Sequence, residues 1–370
     1  MKTLKVLISG GGTGGHIFPA ISIANEIKSL RPDAEILFIG ALGRMEMHRV
    51  PEAGYEIKGL PVAGFDRAHL LKNAKVVWKL FKSRRLAKRY IKEFQPDVAV
   101  GVGGYASGPA LNVAHKMGVP IVIQEQNSYA GVTNKLLSKS ASAICVAYEG
   151  MERFFPADRI VMTGNPVRQN LLTDAPSREE AAKALNLDPE KKIVLVVGGS
   201  LGARTMNESI LGHLEFIAAN EVEVLWQTGK YYRYEIAKRL MGLGCPRNLH
   251  VCDFISDMPQ AYAAADLVIS RAGAGTISEL CLLGKPTILV PSPNVAEDHQ
   301  TKNAMALVEK NAALMVKDDE AKEKLVDLAM ETVEDDAKLA SLATEIKKLA
   351  LPNAANDIAK IVLSKIKNLE

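Results

Sequence analysis

Residues 266–300 read DLVISRAGAGTISELCLLGKPTILVPSPNVAEDHQ, and the fold class follows from this stretch. A short apolar strand, Leu267 to Ile269, runs into a small-residue loop, Ala272 to Gly275. A helix is expected to open at Thr276 with Glu279 in its first turn, and a second apolar strand, Thr287 to Val290, ends at Pro291. Strand, loop, helix and strand make a βαβ unit, the building block of a parallel sheet covered by helices. Its loop of Gly and Ala lets backbone N–H groups approach a ligand, and the start of the helix adds unpaired donors and roughly half a positive charge. A carboxylate one turn further on can accept two hydrogen bonds from vicinal hydroxyls such as those of a ribose. Phosphate beside ribose describes a nucleotide, although a single such loop serves equally well as a tight turn.

Two more strand, glycine-loop, helix units stand elsewhere in the chain. Leu4 to Ile8 precedes SGGGTGGHIFPA (Ser9 to Ala20) and a helix with Ile17, Ile21, Ala24 and Ile27 on one face. Ile193 to Val197 precedes GGSLGARTMN (Gly198 to Asn207), where the Ser200 hydroxyl and the loop amides offer a second diphosphate cradle. Gly10, Gly12 and Gly15 satisfy G-x-G-x-x-G in the context that a dinucleotide fingerprint requires. A nicotinamide enzyme, however, carries an acid at the end of the next strand. Glu35 to Ile39 runs instead into GALGR, with its acids Asp33 and Glu35 at the wrong end.

A chain of 370 residues suits two domains of ordinary size. With 48% hydrophobic and 24% charged residues and a formal charge of +4, it is globular with a mild basic lean, neither disordered nor fibrous. Cys145, Cys245, Cys252 and Cys281 lack C-x-x-C spacing and read as reduced, structural thiols. No apolar run reaches the roughly 18 residues that a bilayer span needs, so neither secretion nor a spanning helix is expected.

Asp97 to Val102 and Pro120 to Ile123 are further buried strands, ending in GVGGYASGPA (Gly101 to Ala110) and QEQNSYAG (Gln124 to Gly131). In an open parallel sheet these strand ends line one crevice, where His16, Tyr105, Glu125 and Asn127 converge despite their separation in sequence. Gly and Pro in TGNPVR (Thr163 to Arg168) mark a domain boundary, with Arg168 placed to pair with phosphate. Phe254 and Ile255 follow a strand as an apolar edge on which a flat base can rest. The segment His69 to Lys92 carries nine Lys or Arg and no acid. Its apolar residues, Leu70, Leu71, Val77, Trp78 and Phe81 among them, recur at helical spacing between lysines. That pattern suits a helix lying on an anionic membrane, and equally one whose apolar stripe faces the core. Nucleic acid is disfavoured, because no aromatic platform or known module accompanies the charge.

Taken together and in order, GGTGGHIFPA, GVGGYASGPA, EQNSYAGVTNKLL, TGNPVR, GGSLGA, and ISRAGAGTISE with EDHQTKNA resemble the MurG family of peptidoglycan N-acetylglucosaminyltransferases, in the GT-B superfamily. The resemblance covers almost the whole chain and implies two doubly wound Rossmann-like α/β domains facing across a cleft. The first, 1–163, would face acceptor and membrane; the second, 164–350, would bind the UDP-sugar; a helix in 351–370 can pack back on the first. The implied reaction moves N-acetylglucosamine from UDP-N-acetylglucosamine to the 4-hydroxyl of the muramoyl sugar of lipid I, giving lipid II with inversion, in peptidoglycan synthesis. In the matching positions Thr13, Gly14, Gly15, Asn127, Arg168, Ser200, Ile255, Ala274, Gly275, Thr276, Ile277, Ser278, Glu279 and Gln300 would contact the donor. Glu279 would take the ribose, the Phe254–Ile255 edge the uracil, and Gln300 the sugar hydroxyls.

The resemblance also implies a peripheral enzyme on the cytoplasmic face of the cell membrane, held through Leu70, Leu71, Val77, Trp78, Phe81 and the flanking lysines. The sequence holds no D-x-D pair for a divalent ion, so no metal or cofactor is expected, and the loop amides, helix N-termini and Arg168 are assigned to the departing UDP. The base is His16 or Glu125. Imidazole has a suitable ordinary pKa, whereas a carboxylate needs burial to raise its own; His16 is preferred, with Tyr105 and Asn127 positioning the acceptor.

Overall fold

The computed structural model describes residues 3–62, 73–167, 171 and 176–366. It divides into two compact units, Met1–Val167 with Leu351–Glu370, and Arg168–Ala350. Leu70, Leu71 and Arg168 lie outside the described residues, as does the side chain of Val77.

In the first unit seven parallel strands, β1 (Lys5–Ser9), β2 (Glu35–Ala41), β3 (Glu56–Leu60), β4 (Val98–Gly101), β5 (Ile121–Glu125), β6 (Ala143–Val146) and β7 (Ile160–Met162), run in the order β3-β2-β1-β4-β5-β6-β7. Helices α1 (Gly14–Leu30), α2 (Glu46–Glu52), α3 (Asn73–Phe94), α4 (Ser107–Lys116) and α5 (Val132–Ser138) connect them. Strands fed by crossover helices are covered on both faces, which is why β4, β5 and β6 are fully buried and apolar except for Gln124 and Glu125 at the end of β5. Alternate residues of β1 serve opposite faces, Val6 and Ile8 joining one cluster and Leu7 the other. The strand order reverses between β1 and β4, which pair up to Ser9 and Gly101, so the loops leaving them diverge and open a crevice.

The second unit repeats the scheme. β8 (Ile193–Val197), β9 (Glu223–Gln227), β10 (Leu249–Cys252), β11 (Leu267–Ser270), β12 (Thr287–Leu289) and β13 (Leu314–Met315) form a parallel sheet ordered β10-β9-β8-β11-β12-β13. Its helices are α6 (Arg178–Ala184), α7 (Arg204–Gly212), α8 (Leu214–Ala219), α9 (Arg233–Leu243), α10 (Met258–Ala264), α11 (Ala274–Leu283), α12 (His299–Val308), α13 (Ala321–Glu334) and α14 (Asp336–Lys348). Here the reversal falls between β8 and β11, where Val197 pairs with Ser270. One correction to the sequence reading concerns a helix. α11 opens at Ala274 rather than Thr276, because Gly273 is the N-cap, so Glu279 sits in the second turn, beyond the reach of the helix dipole's first-turn field. Pro51 sits in the last turn of α2, and the short strand β3 follows it.

The last helix, α15 (Ala354–Ser364), belongs to the first unit: Ile358, Ala359 and Val362 join Ile23, Ala24 and Ile27 of α1 in one buried cluster. All four cysteines are free. Burial pushes the thiols of Cys145 and Cys281 up to about 12, which keeps them protonated and inert, whereas Cys245 is exposed and is no core residue.

Beneath the glycine loop of the second unit Trp226 is fully buried, and its indole N–H donates to Asn207 Oδ1 at 3.0 Å while Asn207 Nδ2 donates to the Thr228 carbonyl at 2.9 Å. Asn207→Leu keeps the volume but strands both groups, each costing about 1–3 kcal/mol when unpaired. The expected loss is about 2–6 kcal/mol. Urea unfolding in a Trp78→Phe background, where Trp226 is the remaining indole, measures it; an unmoved midpoint would show that the pair does not support the loop.

Candidate functional site

In the first unit the crevice is built by loops that approach too closely for side chains. A β-carbon on Gly104 (φ +86°) would lie 2.3 Å from the Gly11 carbonyl oxygen, so the β1–α1 and β4–α4 loops interlock as bare backbone. One on Gly103 (φ +94°) would lie 2.9 Å from the imidazole of His16 and 3.9 Å from Asn134 Nδ2. His16, in the first turn of α1, therefore lies against the second glycine loop, half-buried, with Nδ1 3.3 Å from the Thr13 hydroxyl.

Glu125 ends β5 and is 2% exposed. Its Oε1 accepts from the backbone and side-chain nitrogens of Asn127 at 3.1 and 3.3 Å, and its Oε2 accepts from Gly131 N and Asn134 Nδ2, both at 2.9 Å. Four donors fix this carboxylate as the organiser of the 126–131 loop. Asn127 is half-buried and Tyr105 is exposed on the β4–α4 loop. Thus the expected convergence is found for His16 and Glu125, which Asn134 joins around Gly103.

Two residues of this crevice escaped the sequence reading. Asn134 stands on the inner face of α5. Glu46 is 1% exposed, and its carboxylate accepts from Gly12 N and Ala41 N, each at 2.9 Å. The amide that a dinucleotide fingerprint would offer to phosphate is therefore taken by the protein's own carboxylate, carried by the helix that follows β2. The acid sought at the end of β2 exists, a few residues late, and faces the loop.

In the second unit the β8–α7 loop closes on its neighbour in the same manner: a β-carbon on Gly202 (φ +86°) would sit 2.1 Å from the Thr228 carbonyl oxygen. Ser200 is exposed at its tip. Gln227, at the end of β9, donates to Gly199 O at 2.9 Å and accepts from Ile255 N at 3.1 Å, bracing the glycine loop against the segment after β10. Ile255 is itself buried, and Phe254 presents the exposed ring of that edge, with Lys230 Nζ 4.7 Å above it. Ala274, Gly275 and Thr276 form the half-exposed first turn of α11, whose amides lack intrahelical partners in any helix. Ile277 points into the core, so only its backbone can meet a ligand; Ser278 Oγ donates to Ala274 O at 2.9 Å. Glu279 is 8% exposed and accepts from the Tyr262 hydroxyl at 3.2 Å.

Gln300 accepts from Ser292 N at 2.8 Å, which ties the start of α12 to the end of β12. Arg271 donates to the Val290 and Pro291 carbonyls and to Asp318, which Thr205 of α7 also bonds, so the loops after β8, β11 and β12 share one frame. Among the described residues no group of three His, Cys, Asp or Glu is placed to hold a metal ion.

α3 divides along its length. Ala87 and Ile91 enter the core, while Trp78 and Phe81 stand 64% and 68% exposed, with Lys82 Nζ 5.3 Å over the Trp78 ring. A core-facing role is excluded for these two aromatics. Among the described residues no helix is long and apolar enough to cross a membrane.

Comparison with known proteins bears on both units. Residues 6–146 match the glycosyltransferase family 28 N-terminal domain and residues 193–358 its C-terminal domain. A protein of Bacteroides thetaiotaomicron named UDP-N-acetylglucosamine--N-acetylmuramyl-(pentapeptide) pyrophosphoryl-undecaprenol N-acetylglucosamine transferase is 63% identical over 98% of this chain and 98% of its own. One of the same name from Phocaeicola vulgatus is 64% identical over 98% of this chain and 96% of its own. The crystal structure of Acinetobacter baumannii MurG superposes with a TM-score of 0.79 at 28% identity, covering 98% of this chain and 99% of that one. Two doubly wound parallel sheets of the GT-B kind, matched end to end by both halves of one family, place this chain in glycosyltransferase family 28.

Proposed function

We propose that the chain transfers N-acetylglucosamine from UDP-N-acetylglucosamine to the 4-hydroxyl of the muramoyl sugar of undecaprenyl-pyrophosphoryl-N-acetylmuramyl-pentapeptide, turning lipid I into lipid II. The observation that carries this reading in the structure is the β11–α11 element, in which a glycine-flanked helix start precedes the buried carboxylate of Glu279. Diphosphate at the helix start and ribose at the carboxylate fit that spacing. Thr13, Gly14, Gly15, Asn127, Ser200, Gln300 and, from the sequence, Arg168 complete the donor contacts. Ile255 and Ile277 contribute through their backbones.

The transfer is a single displacement. The acceptor oxygen forms its bond to the anomeric carbon as the bond to the β-phosphate oxygen breaks, the acceptor proton passes to a base, and UDP leaves with the electron pair. His16 is the base in this reading, because imidazole as a type titrates near neutrality and His16 lies at the crevice, whereas Glu125 is engaged by four donors and shapes the loop that receives the acceptor. Tyr105, exposed on the adjoining loop, positions the acceptor. Loop amides and the N-terminus of α11 stabilise the departing diphosphate, and UDP-N-acetylglucosamine is a substrate, with no resident cofactor invoked. The exposed Trp78 and Phe81 with neighbouring lysines hold the enzyme peripherally on an anionic membrane face, that of the cytoplasm, where the nucleotide sugar is available.

Three outcomes are expected. His16→Ala should lower kcat by about 10²- to 10⁴-fold and abolish the acidic limb of the kcat–pH profile, with UDP affinity by calorimetry changed less than about threefold; full activity would remove His16 as base. Turnover with a lipid I analogue should persist in excess chelator, and its loss there with recovery on adding magnesium would refute the assignment of the leaving group to protein donors. Trp78→Ser with Phe81→Ser should cut co-sedimentation with anionic vesicles by at least about tenfold, since each buried aromatic contributes about 1.5–3 kcal/mol; unchanged binding at low and high salt would detach this helix from the membrane.

A further inference from the structure

Glu279 poses a problem that its position in α11 does not solve. A carboxylate that is 8% exposed costs several kcal/mol in desolvation unless hydrogen bonds replace water, and the second turn of α11 gives it little help from the helix dipole. To receive two vicinal hydroxyls it must also be ionised and fixed in the plane that presents both oxygens. A neighbour on a different helix meets this need. Tyr262, on α10, is itself 3% exposed, and its hydroxyl donates to Glu279 Oε2 at 3.2 Å. Two buried side chains from helices flanking the same strand thus share one hydrogen bond, in which the phenol holds the carboxylate's orientation.

We propose that Tyr262 is a positioning residue for sugar recognition: it touches no substrate, but by anchoring Glu279 Oε2 it sets the preference of the donor site for a ribonucleotide over its 2′-deoxy counterpart. This rests on the reading of Glu279 as the ribose-binding carboxylate. The physical ground is that a site built to pair with a hydroxyl rejects an analogue lacking it, because its own buried acceptor is left unsatisfied. The rejection requires the acceptor to stay in place. A carboxylate free to turn toward water or another donor tolerates the deoxy analogue.

The test compares UDP and 2′-deoxy-UDP binding by calorimetry in the wild-type chain, Tyr262→Phe, Glu279→Gln and the double variant. Tyr262→Phe removes one oxygen and keeps the ring, and thermal melting verifies that it folds. The expectation is that the wild type prefers UDP by at least about tenfold, that Tyr262→Phe weakens UDP several-fold more than 2′-deoxy-UDP, and that the substitution changes the ratio no further once Glu279 is Gln. Equal weakening of both nucleotides would make Tyr262 a packing residue and overturn the inference, as would an unchanged ratio in a chain that still discriminates. If the wild type itself shows no preference between the two nucleotides, the ribose reading of Glu279 fails and this inference falls with it. That result is separable from the others because it appears before any substitution is made.

Discussion

The closest backbone approaches in this protein are the condition on which its crevices rest. At Gly104 and at Gly202 any β-carbon would intrude to 2.3 and 2.1 Å from a carbonyl oxygen of the adjoining loop. Real β-carbons do not reach such distances, so a side chain at either position would force two neighbouring loops apart, those after β1 and β4 at the sheet reversal of the first unit and those after β8 and β9 in the second. Both glycines also have positive φ, near +86° in each case, so the conformation and the space demand the same residue. Beside these contacts lie His16 against Gly103 and Gly199 braced by Gln227.

The two units use the same strand, loop and helix for different electrostatic ends. In the first, the Glu46 carboxylate accepts from the amide of Gly12, so a local negative charge already occupies part of the loop. A second anion drawn to that amide would meet repulsion at short range. The same unit presents the imidazole of His16 and the exposed phenol of Tyr105, which the proposed reading assigns to a hydroxyl and its proton. In the second unit the carboxylate beside the loop, Glu279, is held by a tyrosine one helix away. In the proposed reading the first turn of α11 receives the diphosphate. A glycine pattern alone cannot distinguish these situations, because what separates them is whether a distant side chain reaches the amides.

That distinction marks the limit of what could be read from the residues in order. The strands and their loops were legible, because apolar runs bounded by glycine are local signals: β8 starts and ends where the pattern places it, and the other expected strands shift by one or two residues. The start of α11 was misplaced because Gly273 was taken for loop when its extended backbone makes it the N-cap. Glu46, Asn134, Gln227 and Tyr262 carried no local mark at all. Each acts through a partner set by sheet topology, Gly12 being 34 residues from Glu46, and Ile255 being 28 from Gln227. Glu279 was found by its residue type, but its burial and its partner on α10 belong to the tertiary fold. The aromatic pair on α3 was ambiguous for a related reason: helical spacing reports a face, and only the packing of Ala87 and Ile91 shows which part of that helix the core uses.

Chain order adds a constraint of its own. The second unit is contiguous, 168–350, whereas the first unit takes its final helix from the far side of it. Ile358, Ala359 and Val362 are fully buried against α1, and Asn356 donates to Glu26 at 2.6 Å, so without α15 the apolar face of Ile23, Ala24 and Ile27 is left open to water. Each of the four larger side chains, Ile23, Ile27, Ile358 and Val362, contributes about 1.5–3 kcal/mol when fully buried, comparable in sum to the 5–15 kcal/mol by which a typical domain is stable. The first unit, made first on the ribosome, therefore completes its core only after the residues 168–350 of the second unit have been synthesised. The crevice that holds His16 opens from α1, the helix that α15 covers, so in the proposed reading the core behind the acceptor-handling crevice is completed only once the donor-handling half has been synthesised.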